Sequence, residues 1–130
     1  MSEDFLHFIW KFQQFNLVDL KLSTGESLII KRPGLHNHDS GPDFFNGQII
    51  VGNTTWAGNI EIHKKATDWF IHKHDTDPAY SKIILHVVWE NNQEVADNNG
   101  IQIPTLELKG RVNKVLLEKY QALQNEKAWI

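Results

Sequence analysis

The sequence predicts an α+β fold: a twisted mixed or mostly antiparallel sheet, with an N-terminal helix, a short central helix and a C-terminal helix. Three patterns carry that expectation. The two ends of the chain repeat apolar residues at helical spacing, and the stretch between them holds several alternating or wholly apolar runs. Clusters of Gly, Pro, Asn and Asp separate those runs. At 130 residues the chain has the length of a single domain, 1–130, which removes roughly two-thirds of its unfolded surface from water.

Taken in order, Ser2 is placed to cap a helix over residues 3–15, with Glu3 and Asp4 at its positive end and Phe5, Phe8, Ile9 and Phe12 as its apolar stripe. Val18, Leu20 and Leu22 alternate with Asp19 and Lys21, which predicts a strand from Leu17 to Leu22. Thr24-Gly25-Glu26 turns it into a hairpin partner, Ser27 to Lys31. Arg32 to Gly41 reads as a polar loop containing His36-Asn37-His38-Asp39-Ser40, the setting in which functional side chains are common.

Strands Asp43–Val51 and Thr54–His63 form the clearest hairpin, around Gly52-Asn53. In the second strand Trp56, Gly58, Ile60 and Ile62 share the face toward a core; Ala57, Asn59, Glu61, His63 and Lys65 share the other. Thr67 or Asp68 caps a short helix reaching about His74, and Asp77-Pro78 opens another turn of helix. Lys82 to Glu90 is the most apolar run and predicts a central strand buried on both faces. Ile101 to Leu108 is the last strand, with Pro104 marking an edge or a bulge. Residues 110–127 predict a helix with Val112, Val115, Leu116, Tyr120 and Leu123 as its stripe.

Composition narrows the function classes. The absence of cysteine excludes disulfides and thiolate metal sites. The opening MSEDFLHFIWKF lacks the layout of a signal peptide, and no run approaches the roughly twenty apolar residues of a membrane span. A cytoplasmic protein with no membrane partner is expected. A net charge of −3 argues against a broad grip on a polyanion, so a nucleic-acid or phosphate-containing partner has to be met by local cations such as Lys64, Lys65 and Lys73. The five tryptophans are expected mainly as core fillers. There is no Gly-x-Ser-x-Gly elbow, Walker loop or dinucleotide fingerprint, which sets aside serine hydrolases and nucleotide-cofactor enzymes.

The chemistry-bearing residues converge on one hairpin. Asp43 begins its first strand; Glu61 and His63 end its second, followed by Lys64 and Lys65. Mg²⁺ or Mn²⁺ takes hard oxygen ligands, commonly one or two carboxylates completed by water and substrate phosphate. Asp43 and Glu61 are therefore the candidate metal ligands. His63 or Lys65, on the face of Glu61, is the candidate for orienting or deprotonating water. His38, His72, His74 and Lys64 are candidates for a supporting or substrate-contacting role. His36, His38, His63, His72 and His74 also raise the alternative of a His-ligated Zn or Fe site, although no standard zinc spacing is present. His86 reads as a hydrogen-bonded core histidine and His7 as structural.

The order of these motifs resembles the PD-(D/E)xK nuclease superfamily. Pro42-Asp43 stands for its first motif and Glu61-Ile62-His63 for its second, with His63 where that superfamily has lysine. The resemblance implies a core of helix, strand meander, helix and strand, and a metal-dependent phosphodiesterase. Across about the first 110 residues the segments IWKF, GPDFFNGQI, WAGNIEIH, TDWFIHKHDTDPAY and IILHVVWE resemble the domain-of-unknown-function family 2851. Its members are considerably longer, which implies that the chain is an N-terminal domain of a longer protein, a truncated form or a short relative. The family implies no activity. The rival expectation is a non-catalytic interaction or assembly module, in which the His-rich loop and exposed tryptophans form a protein interface and the C-terminal stripe packs on a missing C-terminal domain or a second copy in a homo-oligomer.

Overall fold

The computed structural model describes residues 1–71, 77–97 and 99–127. Helix α1 spans Glu3–Lys11, α2 Asp68–Ile71 and α3 Lys114–Lys127, with a 3₁₀ turn at Pro78–Tyr80. One six-stranded sheet is built from β1 (Leu28–Arg32), β2 (Leu35–His36), β3 (Phe44–Val51), β4 (Thr54–Lys65), β5 (Ile83–Glu90) and β6 (Thr105–Glu107). Its spatial order is β1-β3-β4-β5-β6, with β2 beside β3. The pairs β1–β3 and β3–β4 are antiparallel, whereas β4–β5 and β5–β6 are parallel, so the sheet is mixed as expected.

Alternation along the central strands divides the interior in two. Leu85 and Val87 of β5, with Ile60 and Ile62 of β4, join Phe5, Leu6, Ile9 and Trp10 of α1 in the larger core. Val88 turns the other way, into a smaller cluster with Ala66, Trp69, Val95 and Ile103. That double coverage explains the uninterrupted apolar run of β5. Pro104 precedes β6, which is an edge strand, and its carbonyl accepts the His86 N–H at 2.8 Å.

Several local expectations are corrected. Helix α1 ends at Lys11 because Gln13 adopts a left-handed conformation (φ 53°) and the Gln14 N–H returns to the Ile9 carbonyl. Its buried face is Phe5, Leu6, Ile9 and Trp10, with Phe8 and Phe12 exposed. No strand runs from Leu17 to Leu22: Asp19 sits at φ 49°, and the Arg111 guanidinium donates to the carbonyls of Asn16, Val18 and Asp19. Those carbonyls are thereby taken from any ladder, the hairpin shrinks to a Lys21–Ser27 bridge, and β1 pairs with β3 instead. The loop after β1 contains the short strand β2. Trp56, assigned to the core-facing side, is 51% exposed. The last strand starts only at Thr105 and α3 only at Lys114, where the Asn113 side chain accepts the Val115 N–H at 2.7 Å. In α3, Leu116, Leu117 and Tyr120 pack on the core, whereas Val115 and Leu123 are exposed.

Candidate functional site

A β-bulge brings the two candidate carboxylates together. From Val51–Thr54 to Gly47–Gly58 the β3–β4 register is regular, and continued unbroken it sets Asp43 opposite Ile62, on the core face. The register shifts between Gly47 and Phe44, so Phe44 pairs with Ile60 and Asp43 falls opposite Glu61. Asn46 supplies the extra residue in a left-handed conformation (φ 58°), its N–H held by the Asn59 side chain at 3.2 Å. The hydrogen bonds are reciprocal. Glu61 Oε1 accepts the Asp43 N–H at 3.1 Å, and Asp43 Oδ2 accepts the Ile62 N–H at 2.8 Å.

The loop before β3 is shaped to deliver Asp43. Asn37 donates through its side chain to the carbonyls of Ser40 and Pro42 and through its N–H to that of Asp43. Gly34 (φ 93°) lets β2 lie against β3; a Cβ there would come within 2.8 Å of the Phe45 carbonyl oxygen. His36 then stacks on Phe44, ring centroids 4.7 Å apart.

A buried carboxyl group and a half-buried one in side-chain contact cannot both ionise without cost. Burial first, then the hydrogen bond to Asp43 and its negative charge, push the Glu61 pKa far up. Burial pushes Asp43 the same way, but hydrogen bonds with His7, Glu61 and the Ile62 N–H outweigh it and hold Asp43 below the usual carboxylate range. The pair keeps one proton at neutral pH, resident on Glu61. Tyr80, in the adjoining cluster, is pushed up to about 12 by burial and then by the charges of Glu61, Asp43 and Asp77.

Each carboxylate has an imidazole pair behind it. His7 Nε2 lies 3.5 Å from Asp43 Oδ1, and its Nδ1 lies 3.3 Å from His36 Nε2. His63 Nε2 lies 3.8 Å from Glu61 Oε2, and its Nδ1 is hydrogen-bonded to His86 Nε2 at 2.7 Å. The first pair is only partly covered. Burial opposes charge on His7, yet the hydrogen bond and charge of Asp43 raise its pKa. For His36, burial and then the neighbouring basic side chains of His38, His7 and Lys11 lower it. The second pair is fully interior, with Glu61 3%, His63 1% and His86 0% exposed.

Asp43, Glu61 and His63 thus meet at one spot. Lys64 and Lys65 are exposed at the end of β4, the Lys65 N–H held by Asp68 at 3.1 Å. His38 is exposed, its ring 4.2 Å from that of His36. His72 and His74 lie outside the described residues, as does the end of the short helix expected around them. His7 was missed by sequence reasoning: it sits off the buried stripe of α1, and only the docking of that helix brings it to Asp43. His86 was read correctly as a bonded core histidine, but its partner was not foreseen. Among the described residues no group of three or more His, Asp or Glu side chains is arranged to hold a metal ion, and no helix is long and apolar enough to cross a membrane.

The protein belongs to the family described as "Protein of unknown function (DUF2851)", whose model matches residues 3–130. No curated protein and no solved structure matches the chain.

Proposed function

We propose that the chain is a divalent-metal-dependent phosphodiesterase of nuclease type, with Asp43 and Glu61 holding Mg²⁺ or Mn²⁺. The observation that carries this reading is the bulge-driven meeting of a buried carboxylate, Glu61, and a half-buried one, Asp43, beside an imidazole. A pair that must hold a proton when alone offers a cation the same place with more charge. Its donors are hard oxygens, and Mg²⁺ or Mn²⁺ needs no more than one or two carboxylates from the protein. A zinc or iron site draws on three or more protein ligands, whereas the described imidazoles pair with one another. This favours the oxygen-liganded ion. The order α1, antiparallel strands, α2, parallel β5 also suits the nuclease reading.

Bound there, the ion supplies charge stabilisation at the phosphate and a lowered pKa for water. His63 Nε2 accepts the proton of the attacking water, whose oxygen forms the new bond to phosphorus. The ester bond opposite breaks, its electron pair leaving on the departing oxygen. His7 steadies the Asp43 carboxylate from outside. Lys64 and Lys65, exposed at the end of β4, would supply the cations for phosphate oxygens of a nucleic acid or another phosphodiester.

Calorimetric titration with Mn²⁺ tests the assignment. The unaltered chain binds and hydrolyses bis(p-nitrophenyl) phosphate, whereas Asp43→Ala and Glu61→Ala lose both. Mn²⁺ binding left intact in both variants removes the basis of the proposal.

A further inference from the structure

We infer that the cleft between Lys21, Lys109 and Arg111 is a binding site for a phosphate dianion, carried free or as the end of a phosphate monoester. It shares no residue with the carboxylate pair of β3 and β4, and it stands whether or not that pair holds a metal.

The cleft has a volume of about 460 Å³ and is lined by Lys21, Ser23, Asn91, Glu107, Lys109 and Arg111. Backbone bonds hold its walls together. A bridge joins Lys21 to Ser27, the Ser23 N–H donates to the Thr105 carbonyl at 2.8 Å, and the Lys109 N–H donates to that of Trp89 at 3.0 Å. Three cations line the cleft against one carboxylate, in a chain whose net charge is −3. That carboxylate, Glu107, is engaged through Oε2 by the Asn91 N–H at 2.7 Å. Among the described residues neither Lys21 nor Arg111 belongs to an ion pair. Lys109 Nζ lies 3.8 Å from Glu90 Oε2, with both side chains well exposed, so that pair is weak and yields to a better acceptor. Positive charge gathered in a concavity draws in an anion.

Arg111 turns this charged cleft into a site. A guanidinium carries five N–H donors in a planar fork. Nη1 donates to the carbonyls of Asn16 and Val18 at 3.0 and 3.2 Å, and Nη2 to that of Asp19 at 3.2 Å. These bonds clamp the group, and among the described residues they leave Nε–H and one Nη2–H without an acceptor. Nε and Nη2 share one edge of the plane, where two parallel N–H groups match two oxygens of a phosphate. Neutral carbonyls do not cancel the charge they hold in place. Arg111 is therefore a cation fixed before any ligand arrives, and little freedom is lost on binding. Asn91 gives a second, independent sign. Its side-chain amide makes no hydrogen bond among the described residues, and its Oδ1 is buried. Such a group is costly unless an incoming partner meets it. Turned about its last torsion, the amide offers Nδ2 to an oxyanion. With Glu107 set against the three cations, two positive charges remain, which suits a dianion over the single charge of a diester.

The test is titration of ¹⁵N-labelled protein with inorganic phosphate, methyl phosphate and dimethyl phosphate, in metal-free buffer at pH 7.5 and constant ionic strength. The signals followed are the Arg111 Nε–H and the backbone amides of Ser23 and Asn91. Expected are saturable shifts with the first two ligands and binding of dimethyl phosphate weaker by about tenfold or more. Tighter binding of methyl phosphate than of inorganic phosphate assigns the site to a monoester, and the reverse order to the free ion. Lys21 and Lys109 are exposed, so Lys21→Ala combined with Lys109→Ala is expected to melt as the unaltered chain does. It is expected to bind both dianions about tenfold more weakly or worse. Arg111→Lys keeps the charge without the fork, and is expected to lose the saturable shifts; should it not fold, the double lysine variant decides. Shifts that never saturate or that spread over the surface overturn the inference. So does an unchanged affinity in the double lysine variant, or dimethyl phosphate binding as tightly as methyl phosphate. The titration uses neither metal nor turnover, so its failure is distinct from failure of the phosphodiesterase reading.

Discussion

Among the described residues Glu61 is the side chain whose state departs furthest from its ordinary one, and its consequences are open to measurement without a substrate. Folding raises its pKa from 4.5 to about 10, burial being the leading cause and the neighbouring Asp43 the next. The folded protein therefore binds this proton more tightly than the unfolded chain does. The resulting stability is fully present below the unfolded value and drains away as pH rises toward the folded one. Asp43 runs the other way, its contribution present above 3.8 and lost as pH falls toward about 2. In EDTA, the melting temperature is expected to fall steadily between pH 5 and pH 9. Glu61→Gln keeps the shape and the neutral hydrogen-bonding role while removing the ionisation. It is expected to melt higher than the unaltered chain at pH 8 and to show a flatter profile. Circular-dichroism melts across that range check this, and an unchanged slope in Glu61→Gln would show that the proton is not held there.

The bulge in β3 does for the site what no single side chain can. It moves Asp43 from the face of Ile62 to the face of Glu61, and it does so through one residue, Asn46, at positive φ. Asparagine and glycine tolerate that conformation, and a β-branched side chain does not. Asn46→Gly should stay within a few tenths of a kcal/mol of the parent, whereas Asn46→Val should cost about 1–3 kcal/mol in urea unfolding. Deleting Asn46 restores the straight register, so the shortened chain, if folded, is expected to lose Mn²⁺ binding although both carboxylates remain in its sequence. These same features mark what sequence reasoning could reach. Period-two alternation placed Glu61 and His63 together, and Gly52-Asn53 identified the hairpin, because both signals are local. The bulge was invisible, since Asn46 in a strand looks like any polar residue in an alternating run. So was the missing strand at Leu17–Leu22, because the cation that claims its carbonyls, Arg111, lies 92 or more residues away. The stripe of α1 was misjudged because Phe5, Leu6, Phe8, Ile9, Trp10 and Phe12 are apolar nearly all round; only docking on the sheet selects a face.

Taken as one body, the molecule places its charged groups where its elements join. Asp43 belongs to the entry of β3, Glu61 and His63 to β4, His7 to α1 and His86 to β5, whose far face is covered by Trp69 of α2. Under the proposed function, a cation held by the carboxylate pair would tie the N-terminal helix to the sheet through His7 and Asp43, and would act on the folded state alone, since the unfolded chain holds Asp43 and Glu61 apart. Any ligand with that preference stabilises by mass action, by about 2.7 kcal/mol at a hundred times its dissociation constant. For a domain of this length that corresponds to a rise in melting temperature on the order of 10 °C. The prediction is that saturating Mn²⁺ at pH 7.5 produces such a rise in the unaltered chain and almost none in Asp43→Asn or Glu61→Gln. Hydrogen exchange should slow in α1 and at the start of β3 together, because His7 links them, and His7→Ala should keep the slowing in β3 while losing it in α1. Equal stabilisation of all the variants by Mn²⁺ would locate the ion elsewhere, and exchange that slows only in α3 would detach the carboxylate pair from metal binding.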